Sequence, residues 1–282
     1  MTLVPPQNGR STVRVSMINN GFLTPSRKNQ WINTDEEETV RMPVLCFLIE
    51  KDDRCYLWDL GMRPDVENVG MATRQTWLGI PPMVRRPLPS SLPYAVLASL
   101  RGAGTRSAIL QDRLGKHVGN KEVSYLDRLE ELPFGDTVVL GMDHEGVDFF
   151  GDGSLMLVPA PGHCPGHTIA IARVSASPAS YIVLAGDAGH NRALYDPCPC
   201  HHAIATFSPL QPIHQDPKAA TKTLESLSRL HDREDTWVIL AHEYEVEKVV
   251  PEDIDLSDWQ NKGWKDKVAE ERASASKLSC YA

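Results

Sequence analysis

Short apolar runs separated by tight turns are the feature of this sequence that most constrains its fold. In the first half, residues 44–49 (VLCFLI) and 55–58 (CYLW) flank the acidic pair Asp52-Asp53, and residues 12–18 form a further strand-like run. An apolar run, a polar turn and a second apolar run are typical of a β-hairpin. This part of the chain is therefore predicted to be rich in β-structure.

The second half repeats the pattern. Residues 146–150 and 155–158 flank Gly151-Asp152-Gly153, which predicts another hairpin turn. Further apolar runs of strand length follow at residues 168–173, 181–185 and 237–241.

Helices are predicted between and after these strands. Residues 94–100 predict a short helix closed by glycines, residues 218–231 carry apolar side chains at helical spacing, and the charged tail beyond Ser257 predicts a terminal helix. Two β-rich halves with helices outside them predict an α/β protein, a four-layer αββα sandwich. We expect one domain over residues 1–282, with its core at about 12–250.

Composition limits the partners that we expect. The chain has 282 residues, a net charge of −8 and no run of Lys or Arg, so neither nucleic acid nor a membrane surface is an expected partner. No apolar leader is seen and the six cysteines are irregularly spaced, so we expect a cytoplasmic protein with reduced thiols. The segment Cys198-Pro199-Cys200-His201-His202 has no matching second half, and we interpret it as a loop rather than a zinc site.

Four polar residues stand at predicted strand ends or in tight loops, where α/β folds place their sites: His117, His163, Asp187 and His242. Three imidazoles and a carboxylate form a zinc-type ligand set. Each residue alone also fits a structural role, since a lone His after an apolar strand is more often a hydrogen-bonded core residue. The glycines and prolines around His163 favour the ligand interpretation there, because a tight loop holds the imidazole rigidly.

Six short motifs occur along the chain, and their order indicates a protein family. They are residues 41–49 (RMPVLCFLI), 58–62 (WDLGM), 148–154 (DFFGDGS), 161–167 (PGHCPGH), 185–187 (AGD) and 241–243 (AHE). They resemble the metallo-β-lactamase superfamily, and within it lactonase-like hydrolases related to N-acyl homoserine lactonases, especially fungal ones. The resemblance covers residues 12 to 250 and implies the αββα fold and a metal-dependent hydrolase.

The resemblance also implies a degenerate metal motif. The family's HxHxDH element, which supplies most ligands of two metal ions, corresponds to residues 108–120. Asp112 stands at its first His, Leu114 at its second His, Lys116 at its Asp, and only His117 matches. Leu114 cannot bind a metal ion, and Lys116 puts an ammonium where the family has a carboxylate.

The other family ligands are retained. By resemblance, His163 matches the next ligand, Asp187 the metal-bridging carboxylate and His242 the last ligand. His190 matches a position where relatives can carry a Tyr that contacts the substrate carbonyl, so it is a candidate donor to the oxyanion; a solvated loop His is the alternative.

Two hypotheses for the centre follow. In one, His117, Asp187 and His242 bind one zinc ion, while His163 and Asp112 form a poorer second set, giving one or two ions with partial occupancy. In the other, Lys116 pairs with Asp187 and takes the place of the cation.

The function expected from the resemblance is hydrolysis of a small cyclic ester, amide or carbamate, or of a thioester, in secondary metabolism or catabolism. A metal-activated water would attack the carbonyl, with Asp187 and His190 as the catalytic residues. The rival hypothesis is an inactive or metal-independent member that acts as a binding or regulatory protein. Leu114 and Lys116 favour the rival, whereas the joint presence of His117, His163, Asp187 and His242 favours the enzyme.

The charge of Lys116 gives a test of the degenerate motif. A positive charge about 4 Å from a divalent ion costs several kcal/mol at an effective dielectric near 20. We therefore predict that Lys116→Asp binds zinc more tightly than Lys116→Ala, and that both bind it more tightly than the parent chain, in competition with a chromophoric chelator. Equal affinity in all three proteins would contradict the placement of Lys116 at the metal centre.

Overall fold

The structure is a computed structural model that describes residues 11–24, 41–59, 83–84, 94–98, 108–111, 129–131, 134–135, 137–139, 141–196 and 214–279. Its first sheet has seven strands in the order β4-β1-β2-β3-β5-β6-β7. The strands are β1 (Arg14–Leu23), β2 (Met42–Lys51), β3 (Arg54–Trp58), β4 (Met83–Val84), β5 (Tyr94–Ala98), β6 (Ala108–Gln111) and β7 (Leu129–Glu131). Strands β3 and β5 run parallel, and the other neighbours are antiparallel.

The hairpin predicted around Asp52-Asp53 is confirmed. Strands β2 and β3 pair from Phe47 opposite Trp58 to Lys51 opposite Arg54. Asp52 has a φ of 53°, the left-handed conformation that a tight hairpin turn requires and that Asp adopts more readily than most residues.

The helix predicted at residues 94–100 is wrong. Residues 94–98 form β5, which pairs with β3 on one side and β6 on the other. A five-residue apolar run is too short for its periodicity to separate a strand from a helix. Two neighbouring strands provide partners for its backbone, and this tertiary pairing decides its conformation.

The second sheet has five strands in the order β12-β11-β10-β9-β8. The strands are β8 (Val147–Asp148), β9 (Leu155–Pro159), β10 (Thr168–Ala176), β11 (Ala179–Gly186) and β12 (Thr236–Leu240). Strands β11 and β12 are parallel, so both end at the same edge of the sheet. The predicted turn after β8 is confirmed: Asp148 accepts hydrogen bonds from the amides of Gly151 and Gly153, at 3.0 and 2.7 Å.

The described helices are α1 (Pro217–His231), α2 (Tyr244–Val249), α3 (Trp259–Lys262) and α4 (Trp264–Ser279). Helix α1 confirms the prediction for residues 218–231, and its first turn is fixed by Asp216, whose carboxylate accepts hydrogen bonds from the amides of Lys218 and Ala219. The predicted helical tail is confirmed by α3 and α4, whose Trp259 and Trp264 are buried. None of the described helices is both long and apolar enough to cross a membrane.

Alternating residues of the second sheet face two different cores. Leu155 and Leu157 of β9 belong to a core shared with β1 and β2, whereas Met156 and Val158 belong to a core shared with α1. The chain is therefore a mixed α/β sandwich, and its described part contains the two central sheets and the helical layer outside the second sheet.

A buried ion pair joins the segments that follow β11 and β12. Arg192 and Glu243 are each 1% exposed, and Arg192 Nη1 lies 3.7 Å from Glu243 Oε2. The same guanidinium donates to Asp196 Oδ2 and to His231 Nε2, both at 2.7 Å, and the Tyr195 hydroxyl donates to Glu243. Burial raises the pKa of Glu243 to about 7, against the opposing charge of Arg192.

Removing the guanidinium takes the buried cation away from Glu243, whereas Asp196 keeps Arg272, whose Nη1 lies 3.0 Å from its Oδ2. We predict that Arg192→Leu lowers the free energy of unfolding by about 3–5 kcal/mol, the usual effect of breaking a buried pair. The matched control is Arg229→Leu, whose ion pair with Asp143 is exposed, and this change should lower it by about 1 kcal/mol or less. Urea unfolding measures both, and equal effects would show that the buried pair adds nothing.

Candidate functional site

Five polar side chains from four segments of the chain meet at the carboxyl ends of β9, β11 and β12. His163 lies in the loop after β9, Asp187 and His190 directly follow β11, His242 follows β12, and His214 precedes α1. Because β11 and β12 are parallel neighbours, the residues that follow them are adjacent in space.

Asp187 is at the centre of the group. Its Oδ1 lies 3.0 Å from His242 Nε2 and 3.6 Å from His190 Nε2, and its Oδ2 lies 3.6 Å from His163 Nε2. One third of the Asp187 side chain is exposed, against 7% for His163 and 9% for His242. Part of the Asp187 side chain is therefore open to solvent, although its Oδ1 is buried, and His163 and His242 are largely buried beside it.

The imidazoles form two overlapping groups. The rings of His163, His190 and His214 have mutual centroid distances of 5.2 to 5.4 Å, and His190 also stacks on His242 at 5.3 Å. Two sets offer ligand atoms that all lie within 4.8 Å of one another: His163 with His190 and His214, and Asp187 with His190 and His242. His190 belongs to both sets.

The loop that carries His163 is locked against α1. The amides of Gln215 and Asp216 donate to the carbonyls of His163 and Gly162, at 3.1 and 2.9 Å. Gly162 has a φ of 135°, and a Cβ added there would lie 2.3 Å from the Cα of Ala220 in α1. Only glycine permits this close approach, and it fixes His163 beside His214.

His242 is held by both sheets. Its Nδ1 contacts the carbonyl oxygen of Pro43 in β2 at 2.7 Å, and the amide of Leu45 donates to Ala241. With Nδ1 donating to a carbonyl, the ring is oriented so that Nε2 faces Asp187.

The electrostatics of the site favour a charged carboxylate at Asp187 beside neutral imidazoles at His190 and His214. Burial raises the pKa of Asp187, but the hydrogen bond and charge of His242, with His190 and His163, hold that pKa well below its usual value. Burial lowers the pKa of His190 well below the ordinary range and that of His214 to about 3. Burial also opposes protonation of His242, but Asp187 outweighs it and raises the pKa of His242.

The residues fit a divalent metal ion. Imidazole nitrogens and a carboxylate are the donors that zinc prefers, and neutral imidazoles keep the lone pair that a metal ion needs. His190 Nδ1 is a buried nitrogen without a hydrogen-bond partner. Buried polar atoms in proteins are nearly always hydrogen-bonded, so this nitrogen suggests a bound ligand. A metal ion bound there would accept the lone pair of this nitrogen.

His167 packs edge-on against His163, with ring centroids 5.7 Å apart. Its Nδ1 lies 3.2 Å from the carbonyl oxygen of Ala160, at the start of the loop that carries His163. Burial lowers its pKa to about 4, so the ring is neutral.

The structure brings together four of the residues singled out in the sequence: His163, Asp187, His190 and His242. His117 and Asp112, with Leu114 and Lys116, lie outside the described residues, as does the segment of residues 198–202.

Sequence reasoning missed His214. In the sequence it follows no predicted strand and belongs to no motif, and the only local signal is the Asp216-Pro217 helix start two residues later. That signal places His214 near a capped helix end, but it does not say which loop the helix end meets.

Comparison with known proteins gives distant relatives. No protein-family profile matches the chain. It is 28% identical over 322 positions to "Cytochrome P450 monooxygenase mpaDE" of Penicillium roqueforti, covering 93% of this chain and 37% of that protein. Nearly all of this chain is covered in these matches, but it spans only about a third of the length of each relative. The 322 aligned positions exceed the chain's 282 residues, so this relative has inserted segments that the chain lacks.

Two further relatives carry hydrolase names. A "Metallo-hydrolase mfmC" of Annulohypoxylon moriforme is 26% identical over 74% of this chain and 72% of its own length. A gamma-lactamase of Fusarium pseudograminearum is 38% identical over a shorter stretch, 26% of this chain and 18% of its own length.

Solved structures identify the fold. A quorum-quenching N-acyl homoserine lactone lactonase matches with a TM-score of 0.55 at 16% identity, over 87% of this chain and 100% of its own. A second such hydrolase, with N-hexanoyl-L-homoserine bound at its catalytic metal centre, also matches at 0.55, with 13% identity, over 86% of this chain and 98% of its own. The two-sheet sandwich of this chain is thus the metallo-β-lactamase fold, in the form found in N-acyl homoserine lactone lactonases.

Proposed function

We propose that this chain is a metal-dependent hydrolase that opens a small cyclic ester or amide. The observation that carries the proposal is the accessible Asp187 carboxylate, surrounded by imidazoles at the ends of parallel strands. A carbamate or a thioester has the same reacting group, a carbonyl with a leaving oxygen, nitrogen or sulfur, and belongs to the same proposal.

Relatives support this assignment of the reaction class. The names of the Annulohypoxylon and Fusarium proteins give a metallo-hydrolase and a gamma-lactamase, and the lactonase structure holds an opened lactone at its metal centre. Lactones and γ-lactams share a small ring and a carbonyl that water attacks. We therefore expect a substrate of that size.

Zinc is the proposed metal, held by one of the two described sets of ligand atoms or by a combination that includes His117 and Asp112. Within the described residues both sets need His190, so they support one ion at a time. When bound, a zinc ion polarises a carbonyl and makes water nucleophilic near neutral pH.

The remaining chemistry belongs to the side chains. Asp187 is present as the carboxylate, the form that accepts a proton from the attacking water as the water oxygen bonds to the carbonyl carbon. Its lowered pKa makes it a weaker base than a free carboxylate and favours release of that proton in the next step. The same proton then passes to the ring oxygen or nitrogen as the ring bond breaks. His242 holds the carboxylate in position for both transfers.

Two roles are open to His190 in this proposal. A neutral imidazole has one lone pair and one N–H, so His190 binds the ion through one nitrogen or donates to the oxyanion through the other. The imidazole ring of His190 contacts the rings of His163, His214 and His242, and these contacts favour the first role.

A second candidate function follows from Lys116. If its ammonium pairs with Asp187 in place of a metal ion, the chain is a binding protein or a metal-independent enzyme. Metal content separates this candidate from the first.

Metal content is predicted to be at most one zinc per chain. Elemental analysis after dialysis should find up to one equivalent, because the two described ligand sets share His190. His190→Ala should weaken zinc binding roughly 100-fold or more, as expected for loss of a ligand. His144→Ala removes an exposed His and is the matched control. Two tightly held equivalents in the parent chain, or no zinc at all, would contradict the proposal.

Hydrolysis is predicted to depend on the Asp187 carboxylate. With zinc supplied, Asp187→Asn should lower kcat/KM on γ-lactones and γ-lactams by roughly 10²–10⁴-fold, the usual contribution of a general base. The control is Asp143→Asn, which changes an exposed carboxylate that is 55% accessible. A pH-stat assay follows the acid released on opening a lactone. Equal rates in the parent and Asp187→Asn would exclude this mechanism.

A further inference from the structure

We propose that His214 is a metal ligand, so that the ion rests on the three imidazoles of His163, His190 and His214. This inference rests on the proposed function, since it names the ligands of the same centre. It adds a residue from the segment before α1, and it gives His190 the role of ligand.

The geometry of the rings fits a shared ion. Two nitrogen ligands about 2.1 Å from a tetrahedral ion lie about 3.4 Å apart, which puts the centres of their rings about 5 Å apart. The three ring pairs of His163, His190 and His214 have centroid distances of 5.2, 5.4 and 5.2 Å. The near-equality of the three distances is what a trigonal set of ligands requires.

The arrangement is built into the backbone. The amides that directly follow His214 donate to the carbonyls of His163 and Gly162, so the two loops cannot separate without breaking these bonds. His214 and His163 are 1% and 6% exposed. Imidazoles held this firmly need little reorganisation to bind an ion, and such preorganisation favours tight binding.

Asp187 and His242 fit this ion differently. Asp187 lies 3.6 Å from the Nε2 atoms of both His163 and His190, close to the spacing of two ligands of one ion and too long for a hydrogen bond. His242 Nε2 lies 3.0 Å from the same carboxylate, a distance typical of a direct ion pair. His242 therefore positions Asp187, while Asp187 faces the ion.

Titration with Co²⁺ or Zn²⁺ of the full chain tests the proposal. His214→Ala should weaken Zn²⁺ binding roughly 100-fold or more in competition with a chromophoric chelator, and should change the visible absorption bands of bound Co²⁺. His242→Ala should weaken it less, and His144→Ala should not change it. If His214→Ala leaves affinity and spectrum unchanged while His242→Ala removes binding, the other set of ligands holds the ion. That result overturns this inference and leaves the proposed function intact.

A measurement on the parent chain decides the question if His214→Ala does not fold. X-ray absorption of the chain loaded with one equivalent of Zn²⁺ counts the imidazoles around the ion. Three imidazoles are expected, whereas two would match the set of Asp187, His190 and His242 and would overturn the inference. A parent chain that binds neither metal ion would overturn the inference and the proposed function together.

Discussion

The partly buried charge of Asp187 is the constraint on which the arrangement of this site depends. A carboxylate removed from water is unfavourable unless opposite charge or hydrogen bonds compensate it. His242 provides that compensation at 3.0 Å, and His242 is itself fixed by the carbonyl of Pro43 in the other sheet. The charge of one side chain thus depends on the packing of the two sheets, and a shift between them would change both the ionisation and the direction of the carboxylate.

A second buried polar group keeps the loops of the site in register. Arg192 follows Asp187 and His190 along the chain, and its partner Glu243 is the residue after His242. The pair therefore connects the loop after β11 with the loop after β12, the two loops that carry Asp187, His190 and His242. Apolar residues could fill this space at lower desolvation cost. An ion pair fixes the orientation of both loops more strictly than nonpolar packing does. The side chains of the site need this fixed orientation to stay close together.

The sequence predicted most of the sandwich and part of the site. Hairpins with clear turn residues, such as the one around Asp52, and the amphipathic helix α1 were predictable because local chemistry decides them. Strand β5 was not predictable, because residues 94–98 adopt their conformation by pairing with β3 and β6. Strand β3 lies well before them in the sequence, and no strand was predicted at β6. His214 was missed for the same physical reason: its place beside His163 results from backbone hydrogen bonds between loops that are about fifty residues apart in sequence.

The proposed ligand set draws its donors from outside the segment that corresponds to the HxHxDH element. A metal ion responds to the number, type and spacing of donors, and the element that supplies them is immaterial. Residues 112–117 carry Leu114 and Lys116 where the resembling family has ligands, so an ion at this centre needs donors from elsewhere. The described residues offer five side chains with suitable donor atoms, and none of them comes from that element. His190 and His214 are the two that the family pattern does not supply, and both lie against His163, which it does. In the proposed centre, imidazoles packed at ligand spacing around His163 therefore provide the donors that Leu114 and Lys116 cannot.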